Sequence, residues 1–303
     1  MIFVLLMYAI FAATFPIGKM ALAYTTSSIF LIAVRMIISG ILLLGYQWIT
    51  DHAKFVIKRE DIAIFLRVAL YAIYLGFILE FWALRHIPSI KTNLMYSFAP
   101  FISAFLGYKI FSEHLGWRKI MGLIIGCVGM IPIIFSGSSD IIGADACAVN
   151  LFSISHYEVM LFAGICASTY AWFIIKDLMH KGYSLILING IAMLIGGLLS
   201  LGTYGIEYYY NPVWPIHSTP HFFGYMAMSI LLSNIIGFTM YGMLLRRFTA
   251  TFLSFAGFTC PIFGAFYAYF FMGETIHTHY IIGFILLLAG LRLFYLEETG
   301  SKA

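Results

Sequence analysis

The sequence predicts an all-α membrane protein with ten transmembrane helices arranged as two inverted five-helix repeats. Its composition, a series of long apolar segments and an internal repeat together predict this fold class. Of the 303 residues, 62% are hydrophobic and 10% are charged, whereas a soluble domain carries about 25% charged residues because its surface faces water. Most side chains are therefore expected to face lipid or the protein interior.

Long apolar segments recur along the whole chain. A helix needs about 20 mostly apolar residues to cross a bilayer. Segments of this kind lie at 2–23, 27–49, 62–84, 89–112, 118–136, 158–178, 184–205, 222–245, 250–272 and 277–296. The polar segment 137–157 separates the fifth predicted helix from the sixth. We therefore predict a first repeat at 1–136, a linker at 137–157 and a second repeat at 158–303.

Lys and Arg residues are distributed unevenly between the connections. Twelve lie in or beside the even-numbered connections and the C-terminus, whereas only Arg85 and Lys91 lie in the odd-numbered connections. Because cytoplasmic loops are enriched in these residues, both termini are expected in the cytoplasm of a bacterial-type inner membrane and the 137–157 linker outside it. This bias also explains the formal net charge of +4, so no nucleic-acid partner is expected.

An internal repeat relates the two halves by a constant shift, which aligns 77–130 with 238–291 without a gap. We call this shift the repeat offset. The identical pairs include residue types that are uncommon in apolar helices, such as Arg85/Arg246, Pro100/Pro261, Glu113/Glu274 and Gly122/Gly283. With five helices in each half, the second copy crosses the membrane in the opposite sense. Inverted repeats are typical of secondary transporters, whose halves open a central site to each side in turn. A duplication kept only for stability is the alternative.

Several segments also carry a family pattern. They are FAATFPIGKMAL in the first helix, FLIAVRMIISGILLL around Arg35, FWALRHIPSIKTNLMYSFAP in the first half and MYGMLLRRFTATFLSFAGFTCP in the second. With a Glu thirteen residues after each paired Pro, these segments resemble the ten-helix drug/metabolite exporters (EamA-type) of the drug/metabolite transporter superfamily. The resemblance implies a central cavity open to one side at a time and transport of amino acids, nucleoside-like metabolites or drugs.

Four ionisable residues in or beside predicted helices are candidate substrate-binding residues, namely Lys19, Arg35, Glu80 and Lys91. A charge at the bilayer centre costs about 3 kcal/mol on insertion scales, so such residues usually have a function. All four are expected in the outer half of the membrane, where the cations would attract a carboxylate and Glu80 an amine or a proton. Alternatively, Lys19 and Lys91 extend into the headgroups, and Arg35 and Glu80 have structural roles.

Five aromatic residues within the predicted spans are candidates for the wall of a substrate cavity. They are Trp82, Tyr96, Trp172, Tyr241 and Phe258. An aromatic wall suits a planar or cationic solute. Most of the other aromatic residues are expected to face lipid or to pack between helices.

Pro100 and Pro261 are candidate hinges, because a proline inside a helix removes a backbone hydrogen bond and bends the chain. Such a bend would also free carbonyl groups toward a cavity. A static bend that is needed only for packing is the alternative.

Together these features predict a secondary transporter of small metabolites. Amino acids or similar zwitterions are the favoured substrates, and S-adenosylmethionine is one candidate among them. The sequence has no motif for ATP binding, hydrolysis or metal binding, so no enzyme activity, cofactor or metal is expected. The expected partners are a small-molecule substrate and the lipid bilayer, and a monomer is expected. A membrane-embedded enzyme or a lipid-handling protein is the alternative.

Overall fold

The computed structural model of this chain describes residues 2–52, 55–87, 92, 95–110, 116–136, 155–260, 262–264, 266–267 and 278–300. Within these residues the regular secondary structure is helical, apart from an isolated β-bridge between Thr25 and Ile216. The all-α prediction is therefore confirmed. Several positions that the sequence singled out lie outside the described residues, namely Lys91, Glu113, most of the 137–157 linker, Pro261 and Glu274.

The helices are labelled in chain order. They are α1 (Ile2–Ala23), α2 (Ser28–Thr50), α3 (Arg59–His86), α4 (Ala99–Lys109), α5 (Trp117–Ser136), α6 (His156–His180), α7 (Leu185–Tyr210), α8 (Thr219–Leu245), α9 (Ala250–Ala256) and α10 (Thr278–Gly300). Six of them, α1, α2, α3, α6, α7 and α8, are long and apolar enough to cross a membrane. In the described part of the chain, these six match predicted spans to within a few residues at most ends.

The fourth predicted span, 89–112, differs from the structure. A turn at Ser97 and Phe98 precedes α4, and Pro100 lies in the first turn of that helix. A proline is readily accommodated there because the first-turn amides have no intrahelical partner. Pro100 therefore marks the beginning of a helix rather than a bend within a continuous one.

Serine side chains define the beginning of several helices. The Ser27 hydroxyl accepts a hydrogen bond from the Phe30 amide at the start of α2, and the Ser184 hydroxyl accepts one from the Leu187 amide at the start of α7. Such caps satisfy amides that would otherwise lack a partner, and each stabilises a helix by about 1 kcal/mol. The two caps fix where the chain turns back into the bundle.

The connection between α6 and α7 is tied to the start of α3. Lys181 Nζ lies 2.8 Å from Asp61 Oδ1, and the Tyr183 hydroxyl donates a hydrogen bond of 2.7 Å to Asp61 Oδ2. The hydrogen bond that Lys181 donates to Asp61 raises the pKa of Lys181 above its usual value. These contacts hold the connection in place although Lys181 itself is largely exposed.

Glycine residues allow α2 and α7 to approach closely. A Cβ atom at Gly40 would lie 2.6 Å from the backbone nitrogen of Leu194, and one at Gly197 would lie 2.8 Å from the backbone nitrogen of Ile37. In lipid, helices associate largely through close van der Waals packing, which small residues permit. The α2–α7 pair is therefore a tightly packed part of the bundle.

Two of the long helices contain π-helical segments. Ala69–Leu75 in α3 and Ile230–Gly237 in α8 have this geometry. Segments of π-helix are rare and are often found at functional sites. Residues that follow each segment, Phe77 and Phe238, stack on each other with their ring centroids 6.0 Å apart.

Candidate functional site

Arg35 is a buried cation at the centre of the bundle. It lies on α2 and is only 2% exposed. Its Nε and Nη2 atoms donate hydrogen bonds of 3.0 and 2.6 Å to Oδ1 of Asn234, in the π-helical segment of α8. The Asn234 Nδ2 atom in turn donates to the Ser39 hydroxyl at 2.9 Å. The amide thus orients the guanidinium without neutralising its charge.

Two aromatic rings of α3 flank the Arg35 guanidinium. The Arg35 Cζ atom lies 5.3 Å from the ring centroid of Phe77 and 5.5 Å from that of Phe81. Cation–π contacts at these distances stabilise a desolvated cation. Arg35 Nη1 makes no hydrogen bond with the residues that the structure describes, so it remains available to a further acceptor.

Glu80 supplies a carboxylate close to this cation. It is half-buried, it lies within electrostatic range of Arg35, and its Oε2 atom accepts a hydrogen bond of 2.5 Å from the Tyr96 hydroxyl. The Tyr96 ring packs edge-on against Phe15 of α1, with the centroids 5.5 Å apart. Glu80 and Tyr96, which were both predicted from the sequence, therefore form one unit.

An aromatic pair from the second half of the chain is connected to this charged group through Phe238 and Phe77. Trp172 of α6 stacks on Tyr241 of α8, with the ring centroids 4.0 Å apart and the planes inclined by 27°. Trp172 also packs on Phe238, which stacks on Phe77 beneath the guanidinium. We use the name central cluster for this group of side chains. It consists of Arg35, Glu80, Tyr96, Trp172 and Tyr241, together with the side chains that connect them, Phe77, Phe238 and Asn234.

The other candidates lie apart from these contacts. Lys19 donates a hydrogen bond of 3.0 Å to the Ile87 carbonyl oxygen at the end of α3. Trp82 is 43% exposed. Phe258 is buried and packs against Phe101 and Phe255 instead.

Sequence reasoning missed Asn234, Phe77 and Phe238. Asn234 carried a usable signal, because an amide within an apolar helix must find a hydrogen-bonding partner inside the protein. The two phenylalanines carried no signal of their own among the 29 of the chain.

The central cluster combines a buried cation, a carboxylate and stacked aromatic rings. This set can bind a solute that has a carboxylate, a positive charge and a planar group. In the described part of the chain there is no group of three or more His, Cys, Asp and Glu residues that could hold a metal ion. The charges and rings of the central cluster are complementary to those of an organic zwitterion.

A sequence profile of the EamA-like transporter family matches residues 1–135 and 157–296. The chain belongs to the EamA-like transporter family. This EamA-like chain is accordingly a multi-pass membrane protein and a transporter. A crystal structure that is 15% identical in sequence overlays the whole of this chain and 97% of its own length with a TM-score of 0.69, which supports the fold alone.

Two chlamydial proteins are similar to this EamA-like transporter over nearly its full length. Proteins of Chlamydia muridarum and Chlamydia trachomatis serovar L2 are each 30% identical over 95% of this chain and cover 89% and 86% of their own lengths. Both are named S-adenosylmethionine/S-adenosylhomocysteine transporter. An uncharacterized transporter of Methanothermobacter thermautotrophicus is 23% identical over 79% of this chain and 66% of its own length.

Proposed function

We propose that this transporter carries S-adenosylmethionine and S-adenosylhomocysteine by alternating access. The observation that carries the proposal is the similarity to two transporters of these compounds over 95% of the chain. S-adenosylmethionine has a carboxylate, an ammonium group, a sulfonium ion and an adenine ring. The central cluster has a complementary group for each of them.

Each proposed contact follows from the chemistry of a cluster residue. Arg35 binds the substrate carboxylate through Nη1, because Nε and Nη2 are already used by Asn234. Glu80 binds the ammonium or sulfonium charge through Oε1, because Oε2 accepts the Tyr96 hydroxyl. Trp172, which is partly exposed and stacks on Tyr241, provides a ring on which adenine can stack. Aromatic faces also attract sulfonium ions.

We further propose that the fold consists of ten transmembrane helices in two inverted repeats, related by the repeat offset seen in the sequence. The two π-helical segments support this arrangement, because their first residues, Ala69 and Ile230, are separated by that same offset. Phe77 and Phe238 are also equivalent by the offset, and their rings stack. Residues that are equivalent by symmetry meet in this way when they lie beside a two-fold axis.

The packing of the helices supports the same proposal. A two-fold axis that exchanges the two halves of the chain would pair α2 with α7 and α5 with α10, and contacts occur between the helices of each pair. The same axis would make the contact between α1 and α8 equivalent to the contact between α6 and α3. Both contacts are present. The segments 1–136 and 158–303 are the proposed repeats.

Orientation and hinges are further parts of this proposal. The distribution of Lys and Arg supports cytoplasmic termini and an extracytoplasmic linker at 137–157.

Pro100 lies at the start of α4, and Pro261 is its equivalent by the repeat offset. We propose that the fourth and ninth predicted helices, 89–112 and 250–272, reorient at these two positions.

The test is uptake of radiolabelled S-adenosylmethionine into proteoliposomes that contain the purified protein. We expect saturable uptake that unlabelled S-adenosylhomocysteine inhibits by competition. Methionine and adenosine should compete poorly, because each has only some of the recognised groups. Protein-free liposomes are the control. Absence of uptake and of exchange with internal S-adenosylhomocysteine would exclude this substrate assignment.

A further inference from the structure

Two cations hold the ends of α1 and α3 together. Lys19 Nζ, near the end of α1, donates a hydrogen bond of 3.0 Å to the Ile87 carbonyl oxygen that follows α3. Arg85, near the end of α3, donates from Nη1 to the Thr26 carbonyl oxygen and from Nη2 to that of Thr25 at 3.2 Å. We call Lys19, Arg85 and their carbonyl acceptors the outer clasp.

The second half of the chain has the same two cations at equivalent positions. Arg246 is the equivalent of Arg85 by the repeat offset. Lys19 lies eight residues before the helix cap Ser27, and Lys176 lies eight residues before the helix cap Ser184. Lys176 and Arg246 are therefore the counterparts of the outer clasp at the ends of α6 and α8.

These counterparts surround a cavity. Lys176 and Arg246 line a cavity of about 250 Å³, together with Gly182, Tyr183 and Ser184 of the α6–α7 connection. The Arg246 guanidinium forms no hydrogen bond or ion pair with any residue in the described part of the chain, whereas that of Arg85 has two carbonyl acceptors. The arginine is thus engaged at one end of the bundle, whereas its counterpart at the other end has no acceptor among the described residues.

The cavity lies directly beyond the aromatic pair of the central cluster. Lys176 follows Trp172 by four residues on α6, and Leu245, which also lines the cavity, follows Tyr241 by four residues on α8. Four residues advance a helix by about 6 Å, or one turn. The cavity therefore lies about one helical turn from the aromatic pair, on the same two helices.

We infer that Lys19 and Arg85 form an outer gate, that Lys176 and Arg246 form the matching inner gate, and that one gate opens when the other closes. This inference rests on the proposed transport by alternating access. When the two halves exchange conformations, Arg246 donates to carbonyl oxygens of the α6–α7 connection, as Arg85 does to Thr25 and Thr26 in this structure. Arg85 then releases its acceptors and the outer mouth opens.

Cysteine accessibility tests the gates without any substrate. Leu22 and Met179 are matched reporter positions, because each lies five residues before its helix cap, Ser27 or Ser184. Each is changed to Cys in a variant that lacks the four native cysteines, and a charged maleimide labels the purified protein. We expect Arg85→Gln to speed labelling of L22C by about tenfold and to slow labelling of M179C, because both rates follow one two-state equilibrium. Lys19→Gln should act in the same direction.

Arg67→Gln is the control, because Arg67 is an exposed cation of the same helix. It should leave both labelling rates unchanged. Unchanged labelling of L22C in both Arg85→Gln and Lys19→Gln would overturn the inference. Faster labelling at both reporter positions would also overturn the inference. That result would indicate a general loosening of the fold, whereas two coupled gates move in opposite directions. Hydrogen exchange at 24–27 and 181–184 in the Arg85→Gln protein with its native cysteines provides the same comparison if the cysteine-free protein does not fold.

Arg246→Gln distinguishes the gate from the substrate assignment. It should leave labelling of L22C unchanged in this resting state, while it slows uptake by about tenfold because the inner gate no longer closes. Opposite changes in labelling without any S-adenosylmethionine uptake would retain the gates and reject the substrate. Uptake with a normal rate in Arg246→Gln would reject the inner gate and leave the substrate assignment intact.

Discussion

At the scale of single residues, the central cluster depends on a cation whose direct partner is an amide. Arg35 is 2% exposed and donates two hydrogen bonds to Asn234. A carboxylate in that place would cancel the charge, whereas an amide fixes the guanidinium and leaves its charge to attract an anion. Asn234 is therefore as important to the site as the cation that it orients.

We predict that Asn234→Ala destabilises the protein by about 2–3 kcal/mol, because it removes the acceptor of a buried, charged donor. Thermal unfolding in detergent measures the loss. Asn211→Ala is the matched control: Asn211 is exposed, and its replacement should change stability by less than about 0.5 kcal/mol. Equal melting temperatures for the two variants would show that Asn234 does not support Arg35.

Glu80→Gln should impair transport more than it impairs folding. Glutamine keeps the size of the side chain and can still accept the Tyr96 hydroxyl, so expression and melting temperature should stay close to those of the parent. Uptake of S-adenosylmethionine should fall at least about tenfold, the effect of losing one charge-assisted contact. S-adenosylhomocysteine keeps the ammonium group but has no sulfonium charge, so a smaller fall in its transport would assign Glu80 to the sulfonium and an equal fall would assign it to the ammonium group. Unchanged stability and unchanged transport of both compounds would exclude Glu80 from the site.

At the scale of helices, close approach of α2 and α7 depends on glycine at specific positions. A Cβ atom at Gly40 would lie within 2.9 Å of three backbone atoms of α7, whereas one at Gly45 on the same helix would have no atom within 4 Å. Backbone atoms cannot move aside as a side chain can. The two positions therefore differ in environment although both are glycines of one apolar helix.

We predict that Gly40→Ala lowers stability by about 1–3 kcal/mol, the usual cost of overpacking a core. Gly45→Ala should be neutral or slightly stabilising, because alanine favours the helix and has space there. Unfolding of both variants in the same detergent gives the comparison. Similar stabilities would mean that α2 and α7 are not packed as closely as the structure has them.

At the scale of the whole molecule, the proposed topology follows from where the cations lie. We predict that an alkaline phosphatase fused at the C-terminus is inactive and that one inserted within 137–157 is active, because phosphatase folds only outside the cytoplasm. A green fluorescent protein fused at the C-terminus should fluoresce, and this serves as the complementary control. The reverse pattern would place both termini outside and would exchange the outer and inner gates.

The sequence by itself determined the all-α membrane class and the family, and it indicated the ionisable residues of the candidate site. Arg35 and Glu80 were predictable because a charge within an apolar helix is costly and so indicates a function. Tyr96, Trp172 and Tyr241 were among the predicted aromatic residues, and they lie in the central cluster. The repeat was visible because paired Arg, Pro and Glu residues are rare in apolar helices.

Only the tertiary structure decided which candidates meet. Asn234 is 199 positions from Arg35, and nothing in either segment of sequence indicates their contact. Lys19 was predicted to bind substrate, but it contacts the Ile87 carbonyl oxygen, and Trp82 is exposed. The physical reason is that lipid and protein interior are both apolar, so a membrane helix has apolar residues on every face and its pattern does not reveal which face points inward. That choice depends on the sum of many van der Waals contacts between helices, which exist only once the bundle has formed.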